Sequence, residues 1–160
     1  MTDAATSSEP MSAASTGDLA SRGTAQSLAL GFETIEGACA MRAPFRPDLV
    51  GDPAEGGLAG GVITTLLDQT CGMAVSVAVR ATLPDDAAPS RFGGMATLDF
   101  RIDFVRAAKP GRAVVGQAEC YRLTGGVGFV RGLAFEDDPA DPIAAVQAAF
   151  MLTEPPPAAG

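Results

Sequence analysis

Residues 61–79 limit the possible folds more than any other stretch of the chain. They are nearly all apolar, with Val62, Ile63, Leu66, Leu67, Met73, Ala74, Val75 and Val77 broken only by Thr64, Thr65, Asp68, Gln69, Thr70 and Ser76. A helix that is apolar almost all round belongs inside a protein core or a membrane. A membrane span needs about 20 largely uninterrupted apolar residues, and Asp68-Gln69 falls in the middle of this run. The expectation is therefore a core helix that other elements must cover. A chain of 160 residues, 47% of them hydrophobic, has the material for one such domain and is too apolar to be a disordered one.

The covering elements read as strands. Residues 28–44 are apolar with scattered Glu33, Glu36 and Arg42, and suit one long strand or a hairpin. Residues 45–57 carry Pro47, Gly51, Pro53, Gly56 and Gly57 and read as loop. After a polar loop over residues 83–93 the period changes to two. Leu98, Phe100, Ile102 and Phe104 alternate with Thr97, Asp99, Arg101, Asp103 and Val105, the mark of a half-buried strand. Lys109-Pro110-Gly111 is a turn, residues 113–122 a strand, Thr124-Gly125-Gly126 a hairpin turn, and residues 128–136 and 143–153 two more strands around a turn at 137–142. The order is strand, buried helix, then four strands in an antiparallel meander, which is an α+β architecture. One domain is expected over residues 18–153. Residues 1–17, rich in Ser, Thr and Ala without a basic start, read as a disordered leader rather than a signal peptide. Residues 154–160 read as a flexible tail.

Charge and composition then remove whole classes of function. The formal net charge is −8, so nucleic acid is not an expected partner, and no basic amphipathic stretch suits an anionic membrane. The chain has no histidine. Ser-His and Cys-His nucleophile pairs are excluded, as are His-ligated metal sites. Proton transfer near neutral pH falls to Asp, Glu, Lys, Tyr or Cys. Cys39, Cys71 and Cys120 form no C-x-x-C pair and suit reduced thiols of a cytoplasmic protein.

The chemistry-bearing segment runs from Gly56 to Asp68. Glycines open the helix and a carboxylate follows about two turns later. The first amides of a helix are unpaired donors at the positive end of its dipole. Glycine lets a ligand approach them, so an oxygen gaining negative charge can be held there. Asp68 in an apolar helix is costly unless something pairs it. By spacing alone it is either a reactive carboxylate or a satisfied polar group, the latter including one facing a subunit interface. Cys71, three residues on, is a rival nucleophile with no histidine to activate it.

Two segments carry a resemblance. Residues 60–68, Gly-Gly-Val-Ile-Thr-Thr-Leu-Leu-Asp, resemble the H-G-G-x-x-x-x-L-x-D element of phenylacetate-type hot-dog thioesterases, and residues 97–111 resemble that family's strand-plus-turn signature. The resemblance implies a hot-dog fold, a long central helix wrapped by an antiparallel sheet, and hydrolysis of an acyl-CoA thioester with an aryl or medium-chain acyl group. It implies no metal and no cofactor, with coenzyme A entering as part of the substrate, and a homodimer or homotetramer. By the same resemblance Asp68 activates water or attacks the carbonyl, and Gly60 gives its amide to that carbonyl. Thr97 faces the site from the partner subunit. Ala59 and Gly61 flank the carbonyl site, while Phe104, Val105, Arg106 and Lys109, with Arg122, Gly125 and Gly126 of the hairpin, run along the coenzyme. The chain departs from the pattern at two points, with Ala59 at the family's histidine and Pro53 at its asparagine. Those departures keep open a non-catalytic acyl-CoA or acyl-carrier binding module. A hot-dog dehydratase is the remote alternative, since that chemistry usually depends on a histidine.

Overall fold

The computed structural model describes residues 23–83 and 94–153. The leader and tail, and all but the start of the polar loop at 83–93, lie outside the described residues. A short helix α1 (Gly23–Ser27) leads into a hairpin, β1 (Gly31–Ile35) and β2 (Ala38–Ala43). The loop that follows holds a 3-10 turn at Pro47–Leu49 and then enters the long helix α2 (Gly60–Arg80). Four strands complete the domain: β3 (Gly94–Phe104), β4 (Val114–Thr124), β5 (Val127–Phe135) and β6 (Ala144–Thr153).

All strands pair antiparallel in one six-stranded sheet of order β1-β2-β4-β5-β6-β3. This is the hot-dog arrangement, with the long helix packed on the sheet. The meander is shorter than the sequence suggests. It comprises β4, β5 and β6, while β3 passes to the far edge and pairs with β6. Strand order is set by long-range pairing, which a period-two pattern does not encode. The β4–β5 turn is built by Gly125 and Gly126, with φ of 57° and 75°. Positive φ at both central residues matches the turn to the twist of the strands.

Helix α2 turns Ile63, Leu66, Leu67, Thr70, Cys71, Ala74 and Val75 into the core. Their spacing of three and four residues places them on one face. Each fully buried Leu or Val contributes roughly 1.5–3 kcal/mol. The sheet receives the helix at glycines: a Cβ on Gly116 would stand 2.7 Å from Thr70 Oγ1, and one on Gly128 would stand 2.7 Å from Val75 Cγ1. The helix is long and apolar enough to cross a membrane, yet half of its most apolar window is buried inside the protein. The described residues do not enclose the other face: Thr65, Asp68, Gln69, Gly72 and Ser76 stay partly exposed and Gly61 is exposed.

The alternation expected for β3 is broken by a bulge between Thr97 and Asp99, where Leu98 is the extra residue. Leu98, expected in the core, is 53% exposed, and Phe104, also expected inside, is 48% exposed. A bulge moves following residues across the pleat. It thereby lets Thr97, before it, share the helix-facing side with Phe100 and Ile102, after it.

Candidate active site

Two clefts open along α2. The first, about 200 Å³, lies at the helix N-terminus. Ala59 is the N-cap and offers no side-chain acceptor to the first amides. Its extended backbone is fixed where its N–H donates to Leu49 O at 2.9 Å. The amides of Gly60 and Gly61 therefore point outward as first-turn donors. Phe104 lies over this start: a Cβ at position 60 would be 3.5 Å from Phe104 Cζ.

Phe104, Arg106, Ala107 and Ala108 form the cleft's other wall, and an ion pair to a buried carboxylate fixes this segment. Arg106 Nη1 and Nη2 donate to Glu136 Oε1 and Oε2 at 3.1 and 2.5 Å, and the Lys109 amide donates to Glu136 Oε1 at 2.8 Å. The Glu136 side chain is 1% exposed. Burial alone would push its carboxyl up, but the Arg106 guanidinium and the Lys109 amide outweigh it and hold it below the usual carboxylate range. The segment presses so closely on the preceding loop that a Cβ on Gly57 would meet Ala108 O at 2.2 Å.

The second cleft, about 210 Å³, lies at mid-helix and contains Asp68. The carboxylate is half-buried, and Thr97 Oγ1 donates to Asp68 Oδ1 at 3.2 Å. Gln69 and Ser76 share the polar side; Met41, Met73, Met95 and Phe150 supply an apolar end. Asp68 is thus a polar-paired carboxylate at the edge of an apolar hollow.

The structure sorts the residues expected at the site into three groups. Ala59, Gly60, Gly61, Phe104, Val105, Arg106 and Lys109 gather at the N-terminal cleft or border it. Asp68 and Thr97 meet at the second. Arg122, Gly125 and Gly126 lie away from the N-terminal cleft, since the neighbouring Gly128 packs on Val75, and from Gly60 to Val75 the helix runs about 22 Å.

Four of these residues have surroundings that the sequence did not show. Thr97 meets the Asp68 of its own chain, because the bulge turns it onto the helix. Arg106 is committed to Glu136 and Asp141, with Asp141 Oδ1 at 2.9 Å from Nε, and so buttresses the loop. Lys109 Nζ pairs with Asp141 at 3.3 Å on the surface. Burial, and then the Asp68 charge, push the Cys71 thiol up to about 12. That removes the rival nucleophile, since a thiol of that pKa is protonated near neutral pH.

Sequence reasoning missed Gly72 and Ser76, although their offsets of four and eight residues from Asp68 put them on its helical stripe, and it missed Gln69, which lies beside that stripe. Met41 and Phe150 arrive from distant strands and had no local signal.

The profile of the Thioesterase superfamily matches residues 55–143. A Pseudomonas aeruginosa protein of known structure is 43% identical over 79% of this chain and 87% of its own, with a TM-score of 0.63. The Escherichia coli PaaI protein of the phenylacetic acid degradation operon is 13% identical and shares the fold, with a TM-score of 0.68 over 88% of this chain and 91% of its own. A Streptococcus mutans protein solved with acetyl CoA bound is 17% identical, with a TM-score of 0.59 over 78% of this chain and 90% of its own. No curated protein matches the chain in sequence.

Proposed function

This chain belongs to the thioesterase superfamily, and from that premise we propose that it hydrolyses an acyl-CoA thioester, with Asp68 as the carboxylate that handles the proton. The observation that carries the reading is the half-buried Asp68, paired to Thr97 at the mouth of an apolar cleft, in a chain with no histidine.

Helix geometry shapes the mechanism. Gly60 and Asp68 are about 12 Å apart along the axis, too far to act on one carbonyl. The reading therefore joins the Gly60 amide of one copy to Asp68 and Thr97 of another. Support comes from β3, an 11-residue edge strand with exposed Leu98 and Phe104, followed by exposed Val105. Such an edge is a template for pairing with a second chain. The partly open stripe of α2 would be covered by the same copy.

In that arrangement the thioester carbonyl oxygen accepts from the Gly60 amide, whose dipole favours the developing negative charge. Thr97 donates to Oδ1 and leaves Oδ2 of Asp68 free. A water attacks the carbonyl carbon and gives its proton to Oδ2. The C–S bond then breaks, the acid forms, and the coenzyme sulfur leaves as thiolate and is protonated from Asp68. These steps are proton transfers and acyl transfer to water, so coenzyme A enters only with the substrate.

Ala59 and Pro53 at the family's histidine and asparagine positions favour a second reading, an acyl-CoA binding module. One experiment separates them: free-thiol release from acetyl-, hexanoyl- and phenylacetyl-CoA, measured beside binding of the same esters. Thiol release with turnover supports the hydrolase, and tight binding without release supports the module.

A further inference from the structure

Three glycines of the sheet, Gly116, Gly128 and Gly132, have steric reasons to be glycine, whereas Gly72 has none. A Cβ on Gly116, Gly128 or Gly132 would meet neighbours at 2.7, 2.7 or 2.5 Å. A Cβ on Gly72 would meet Met95 Sδ at 3.7 Å and Phe150 Cε1 at 3.8 Å, which is ordinary van der Waals contact. Gly72 also lies in the middle of α2, where glycine costs helix stability relative to alanine. Its backbone does not need the residue, so its effect is the space it leaves, and that space is part of the Asp68 cleft.

Gly72 sits one turn beyond Asp68, about 6 Å along the axis, on the same stripe. The cleft is polar at Asp68 and Thr97 and apolar at Met73, Met95 and Phe150. Its volume of about 210 Å³ is below the roughly 300–1,000 Å³ of sites that enclose a whole drug-sized ligand. It fits the tail of a substrate rather than the coenzyme. Methionine walls adapt to variable apolar shapes.

We infer that Gly72 is the floor of an acyl-binding subsite and sets the size of the apolar acyl group that reaches Asp68. The inference rests on the hydrolase reading and adds to it the substrate's size limit and the residue that imposes it. A carbonyl held at Asp68 sends its acyl chain over the bare backbone at position 72 and against Met95 and Phe150. A methyl there shortens the subsite, and a branched side chain closes it.

The test compares wild type, Gly72→Ala, Gly72→Val and Met95→Ala on acetyl-, hexanoyl- and phenylacetyl-CoA, reading the kcat/KM ratio of each larger ester to acetyl-CoA. The ratio should fall stepwise in Gly72→Ala and Gly72→Val, by tenfold or more in the second, and rise in Met95→Ala. Sedimentation of each variant shows whether it retains the assembly of wild type. An unchanged ratio overturns the inference, and so does loss of assembly with no change of ratio, which would assign the glycine to a contact between copies. If wild type releases no thiol, hydrolysis itself fails. Affinities for non-hydrolysable thioether analogues of the same three esters then carry the test: the same stepwise ratio upholds the size limit, and a flat one overturns it.

Discussion

Asp68 is the residue on which the proposed chemistry turns. Replacing it with Asn preserves volume and an acceptor for Thr97 Oγ1, so the fold should persist while proton transfer is lost. Removing a general acid–base group typically slows turnover roughly 10²–10⁴-fold. Thiol-release kinetics with Asp68→Asn should show that loss in kcat, with circular dichroism unchanged; near wild-type turnover would make Asp68 a structural polar group. Ala59 poses the complementary question. The N-cap has room at the cleft, and Ala59→His should raise kcat if hydrolysis is merely weakened by the missing imidazole, but change only affinity if the site serves binding. Asp68 and Gly60 were legible in the sequence because a helix converts spacing directly into position. The Thr97–Asp68 pair was not legible as a contact within one chain, because it depends on a bulge at Leu98 that the apolar alternation conceals. The commitment of Arg106 was also hidden, since its partner Glu136 lies 30 residues away, just past the end of β5.

Two elements make the scaffold around the clefts testable. The loop at residues 105–110 hangs on Glu136, whose carboxyl is held below its usual range. A depressed native pKa means stability present above the unfolded value of 4.5 and lost as pH falls through the lower native value. Urea midpoints of wild type should therefore drop below pH 4.5, more steeply than those of Glu136→Gln, which lacks the titrating group. At neutral pH, Arg106→Ala leaves the buried Glu136 carboxylate with the Lys109 amide alone and should cost about 3 kcal/mol, the lower end for breaking a buried pair. Asp141→Ala removes a surface partner, 55% exposed, and should cost clearly less, because solvent screens the pair. Equal effects would show that the loop does not hang on Glu136. Helix α2 allows a second comparison. Gly116→Ala drives a methyl into Thr70 and should destabilise by roughly 1–3 kcal/mol. Gly72→Ala meets no such obstacle and should stabilise by up to about 1 kcal/mol. The elements themselves were mostly legible, since α2 and the glycine turn between β4 and β5 are local patterns. The placement of β3 beside β6 was not, because which strands pair is decided by the closure of the sheet around the helix.

At the scale of the whole molecule, the proposed mechanism makes a single chain the bearer of two half-sites. Gly60 donates at one cleft, Asp68 sits at the other, and α2 holds them about 12 Å apart. Two-fold symmetry, the commonest arrangement of homo-oligomers, would make two complete sites from two such chains. Chains with separate lesions test this. Gly60→Pro deletes the amide donor at the first helical position, where proline is well accommodated. The preceding Ala59 already has the extended φ, ψ of −60° and 144° that proline demands of its neighbour. Each variant alone, Gly60→Pro or Asp68→Asn, should be inactive. After mixed refolding, a heterodimer pairs the intact Gly60 of one chain with the intact Asp68 of the other at one site and gathers both lesions at the second. Random pairing makes half the dimers mixed, so about a quarter of wild-type sites should return. If each chain carried a complete site of its own, every site in the mixture would hold a lesion and thiol release would stay at the level of the separate variants.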